Sequence, residues 1–77
     1  MVWFEVAEHK HKAKKKNHKC FVIKTEENYY YFLVYKGDTA YNSLWDGLKY
    51  STFEKCAAAC EFFVDNKDKK KTKFLYK

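Results

Sequence analysis

The chain reads as an α+β domain, a three- to four-stranded antiparallel sheet with one C-terminal helix packed on one face. Three observations carry that reading. Residues 20–25 and 29–35 are dense in β-branched and aromatic side chains, the composition of half-buried strands. Residues 51–66 open on Ser51-x-x-Glu54 and then place Phe53, Cys56, Ala57, Cys60, Phe63 and Val64 on one face at helical spacing. The length of 77 residues, with seven Tyr, seven Phe and two Trp, allows a single domain whose small core is assembled from large rings.

In chain order, Val2 to Ala7 reads as a short strand. Residues 8–19 are nearly all Lys and His, with Asn17 the lone turn former, and read as a loop or mobile hairpin tip that is poorly ordered across 8–17. Cys20 to Thr25 is a strand, and Glu26-Glu27-Asn28 a turn. Tyr29 to Tyr35 carries the strongest strand signal, aromatic on both faces, and should be central. Lys36-Gly37-Asp38 turns the chain, and residues 39–45 read as loop or short strand. Asp46-Gly47, between Leu44-Trp45 and Leu48-Lys49-Tyr50, resembles a tight hairpin. A capping box at Ser51 starts the helix and Asn66 is placed to end it. Residues 67–77 form a basic stretch in which Phe74-Leu75-Tyr76 offers a last edge strand. No repeat or second domain interrupts residues 1–77.

Charge is unevenly spread. Residues 1–19 carry a net +4, residues 20–64 a net −2 and residues 65–77 a net +4, for +6 in all. Basic ends suit phosphate or an acidic protein surface, and they also serve plain solubility. Every basic residue is Lys, so the bidentate guanine contact of Arg is missing, which argues against sequence-specific DNA reading. Lys, Asn, Tyr and Phe also use AT-rich codons, as in a low-GC bacterium or its phages and plasmids. Three Cys do not make a disulfide framework. The start has no signal-peptide pattern and no apolar run is long enough to span a membrane. A cytosolic protein with reduced thiols is expected.

Soft ligands fall in two clusters. His18 and Cys20 share one face of a strand at i and i+2, and Cys56 and Cys60 share one side of a helix at i and i+4. Together they offer zinc a tetrahedral Cys3His set, with His9 or His11 as replacements for His18. The competing expectation is that the cysteines are buried packing groups. A Cys20–His18 nucleophile pair lacks an orienting third group and an oxyanion hole, so no enzyme is expected.

With one helix, one sheet face stays open. Tyr29, Tyr31 and Tyr35, with the arm Lys14, Lys15 and Lys16, are the expected partner-binding residues. The Gly-bearing aromatic pattern of RNA-binding sheets is absent, and the acidic middle of the chain is expected to repel phosphate near the sheet.

The run Gly47-Leu48-Lys49-Tyr50-Ser51-Thr52-Phe53-Glu54, followed by Cys56-Ala57-Ala58-Ala59-Cys60-Glu61, resembles small accessory proteins of phages and mobile elements, among them the anti-CRISPR inhibitors of type II systems. The resemblance implies a non-enzymatic inhibitor that binds a host nucleoprotein enzyme, a CRISPR nuclease first among them, and blocks its target-DNA binding. The inhibitor class has no common motif, so no residue role follows from it. The residues by themselves leave two alternatives open. One is a small zinc-stabilised domain that binds nucleic acid weakly and non-specifically through Lys–phosphate contacts. The other is a structural subunit of a larger assembly.

Overall fold

Five strands and one long helix make up the domain, in a computed structural model that describes residues 1–70, with side chains through residue 66. The α+β class and the C-terminal helix stand as expected, with five strands where three or four were expected. The strands are β1 (Phe4–Ala7), β2 (Lys10–Lys15), β3 (His18–Lys24), β4 (Tyr30–Lys36) and β5 (Thr39–Asn42). They pair antiparallel in sequence order, so each connection is a local hairpin.

The additional strand is β2. The Lys/His loop expected over 8–19 is instead a hairpin, with β2 paired to β1 on one side and β3 on the other. Lys16 and Asn17, at φ 52° and 65°, are the two turn residues between β2 and β3. Positive φ at both positions matches the twist of flanking strands, and Asn tolerates it better than most residues. Gly37, at φ 58°, does the corresponding work between β4 and β5.

A 3-10 turn, Ser43–Asp46, follows β5 in place of the expected Asp46-Gly47 hairpin. Asn42 caps it by accepting from Leu44 N–H at 2.8 Å. Gly47 ends it in the left-handed region at φ 73°. Tyr50 then exchanges both backbone hydrogen bonds with Tyr30, at 2.8 and 2.9 Å, so the chain resumes sheet pairing where β5 stopped.

The helix α1 (Phe53–Lys70) starts one residue later than the capping box implied. Thr52, not Ser51, is the cap, and its Oγ1 accepts from Lys55 N–H at 3.1 Å. Asn66 does not end the helix; its Nδ2 donates to Phe62 O at 2.8 Å within a helix that continues to Lys70. Phe74 to Tyr76 lie outside the described residues. Cys56, Ala57, Cys60 and Val64 pack on Cys20, Val22, Phe32 and Val34 of the two central strands. Phe32 is 2% exposed and touches Tyr41, Tyr50 and Phe63 rings, so truncating it would cost about 3–5 kcal/mol. No helix among the described residues is long and apolar enough to cross a membrane.

Candidate functional site

Strand alternation sorts the sheet's side chains into two chemically different faces. Toward α1 lie Ala13, Cys20, Val34 and Tyr41 in one cross-strand row and His11, Val22 and Phe32 in the next. Away from it lie three rows. The first is Phe4, Lys12, Phe21, Leu33 and Asn42, the second Lys10, Ile23 and Tyr31, and the third Lys14, Lys19, Tyr35 and Ala40. The outward strand positions therefore hold four lysines, four aromatic rings and no carboxylate.

The carboxylates are elsewhere. Glu8, Glu26, Glu27 and Asp38 sit in turns, Asp46 in the 3-10 segment, and Glu54, Glu61 and Asp65 on α1. Glu5 pairs with His11 and lines a small hollow against Phe53 on the helix side. The acidic middle of the chain thus contributes no carboxylate to the outward strand positions, where phosphate repulsion was expected, and its turn carboxylates lie at the ends of the strands. Lys14 and Lys19 stand directly opposite each other across β2 and β3, a like-charge pair that an anion would relieve.

At one end of this face Phe21 and Tyr35 meet edge to face, with centroids 5.8 Å apart at 87°. They line a hollow of about 440 Å³ together with Asn17, Lys19 and Gly37. Lys10 Nζ lies 5.0 Å over the Phe21 ring, a cation–π contact. Tyr35 is 41% exposed and Phe4 65%.

Of the residues expected to bind a partner, Lys14, Tyr31 and Tyr35 share this face. Tyr29 precedes β4, with Lys49 Nζ 4.7 Å over its ring. Lys15 points the other way, with Nζ 3.2 Å from Glu61 and 2.8 Å from Asp65, and Lys16 Nζ is 3.7 Å from Asp65. The Lys arm is therefore split across the sheet, which corrects its reading as one surface. Hydrogen bonds to Asp65 and then Glu61 raise the Lys15 pKa, and the same bonds from Lys15 lower both carboxyls. Lys10, Lys12, Lys19, Phe4 and Phe21 escaped the sequence reading. Their signal is the period-two alternation of residues 10–15, visible only once that stretch is taken as a strand.

His18, Cys20, Cys56 and Cys60 are all fully buried between sheet and helix. A hydrogen bond between the free thiols of Cys20 and Cys60 lowers Cys20 and raises Cys60, while burial works to raise both. Burial alone pushes the Cys56 thiol up to about 12. The His18 Nδ1 lies 3.3 Å from Lys15 O, which can only accept, so Nδ1 donates there, while the buried Nε2 has no hydrogen-bond partner among the described residues. Among the described residues no group of three or more His, Cys, Asp or Glu side chains is placed to share one ion. Of the replacements considered for His18, His11 packs on the Phe53 ring at 4.7 Å and His9 Nε2 lies 3.5 Å from Glu8.

No family model, curated protein or solved structure matches this chain.

Proposed function

We propose that this chain is a binding module that holds nucleic acid on the outward face of its sheet through lysine contacts to phosphate. The observation that carries the proposal is a sheet face that no described element covers, with Lys10, Lys12, Lys14 and Lys19 and no carboxylate at its strand positions. Phosphate neutralisation releases counterions and supplies affinity without sequence reading. The absence of Arg fits a module that positions on the backbone and does not read guanine. The helix carries Glu54, Glu61 and Asp65, which do not suit entry into a groove walled by phosphate.

An inhibitor seated in the DNA channel of a nucleoprotein enzyme would bring this basic face against a basic wall, which opposes docking. The inhibitor reading does have support from Trp45 and Phe62, exposed at 66% and 69% on the 3-10 segment and α1. It implies a protein partner retained from nuclease-treated host lysate.

Fluorescence anisotropy with a labelled oligonucleotide over a salt series tests the leading proposal. Log affinity should fall linearly with log salt. Lys12→Gln or Lys19→Gln should each reduce the slope by about one, while Lys55→Gln on the exposed side of α1 leaves it unchanged. Equal slopes in all variants, or no binding at low salt, would remove the lysine face from the function.

A further inference from the structure

We propose that the hollow lined by Asn17, Lys19, Phe21, Tyr35 and Gly37 seats one unstacked base, so that the sheet prefers single-stranded to duplex nucleic acid. The inference rests on the nucleic-acid reading of the same face and adds to it a form of substrate and a place for one nucleotide.

The rings decide the form. In a duplex the flat faces of the bases are stacked on each other and out of reach, whereas a single strand can splay a base onto an aromatic side chain. Phe21 and Tyr35 offer such a place because no described element covers them and their strands fix them from below. Phe21 lies on β3 and Tyr35 on β4, the two best-paired strands of the sheet. The site is therefore formed before ligand arrives, which limits the ordering cost of binding. Its volume of about 440 Å³ falls within the range of small-ligand pockets, enough for one base with its sugar.

The polar lining has the complementary groups. Asn17 brings an amide with both donors and an acceptor, suited to a base edge. Lys19 brings an ammonium for the adjoining phosphate, and Lys14 opposite it places a second positive charge beside the same strand. Lys10, now over the Phe21 ring, is long enough to swing to a phosphate as a base arrives. The face has no acid at its strand positions to oppose that approach.

The test compares a labelled oligothymidylate with a labelled blunt duplex of equal length, at one low salt concentration, using the full chain and three variants. Tyr35→Ala removes the ring, Tyr35→Phe keeps it, and Asn17→Gly removes the amide while preserving a backbone free to adopt φ 65°. Thermal melts establish that each variant is folded. The parent should bind the single strand about tenfold more tightly than the duplex. Tyr35→Ala should lose about tenfold on the single strand and nothing on the duplex, and Tyr35→Phe should retain parental affinity. Asn17→Gly should weaken the single strand alone. Equal affinity for the two forms, or equal losses on both, would overturn the base-seating inference and leave the lysine–phosphate reading standing. Failure to bind either form would overturn both.

Discussion

At Ser43 a single hydroxyl takes the place of a strand's backbone. β5 ends at Asn42, which would leave the Phe32 N–H of β4 without a ladder partner. Ser43 Oγ accepts from it at 3.0 Å and donates to Leu48 O at 3.2 Å, and the residue is fully buried. Ser43→Ala should cost about 1–3 kcal/mol in urea unfolding, because it orphans a buried donor and a carbonyl together. A loss below about 0.5 kcal/mol, the range of a neutral surface change, would mean that the sheet edge closes without the hydroxyl. The cysteines make a second claim at this scale. All three are fully buried, and the Cys56 thiol is held at about 12, far from thiolate at neutral pH. A thiol-reactive chromogen should therefore label the native protein hardly at all and titrate every thiol after denaturation. Release of about one zinc per chain in that same denaturing step would show that His18, Cys20, Cys56 and Cys60 form the metal set first expected of them.

β2 and α1 are joined by charge. Lys15 bridges Glu61 and Asp65, and the N-terminal ammonium of Met1 adds a contact of 3.3 Å to Glu61. Both carboxyls titrate below their ordinary values in the folded chain. The unfolded chain therefore binds more protons as pH drops through the carboxylate range. The stabilisation is complete above the ordinary carboxyl values and is lost as pH falls through the lowered folded ones. A Glu61→Gln, Asp65→Asn double variant should melt below the parent at neutral pH, by a small margin because these groups are solvent-screened, and the gap should close on acidification. A gap that stays constant with pH would assign the effect to packing. This link also shows what the sequence could and could not convey. β3, β4 and α1 were legible because Val22, Ile23, Phe32, Val34 and the Phe53–Val64 stripe carry the period of their own element. β2 was not, since Ala13 is its sole fully buried residue and its lysines mimic a solvated loop. Its structure is imposed by two neighbours and the Lys16–Asn17 turn. Asp46-Gly47 misled because a left-handed Gly closes a 3-10 turn as readily as a hairpin. The candidate face was half legible. Tyr31 and Tyr35 declared their parity within β4, but the lysines beside them gained a direction only with β2.

Across the whole molecule the sheet is a divider of chemistry. One side buries thiols and rings under the helix, which carries Glu54, Glu61 and Asp65, while Glu8, Glu26, Glu27 and Asp38 lie in the hairpin turns. The other presents Lys10, Lys12, Lys14 and Lys19 among Phe4, Phe21, Tyr31 and Tyr35. A net charge of +6 describes this arrangement poorly, because the attraction for a polyanion is set by where the positive charge lies. The same division explains how Phe4 and Tyr35 can stand exposed on a face that no described element covers, since interspersed lysines keep that surface solvated until a partner displaces the water. The most direct measurement is an amide and side-chain NMR titration of the full chain with oligothymidylate. The account predicts shifts at Lys12, Lys14, Asn17, Lys19, Phe21 and Tyr35, and none along Glu54 to Asp65. Shifts concentrated at Trp45 and Phe62, or no shifts at all near physiological salt, would contradict it.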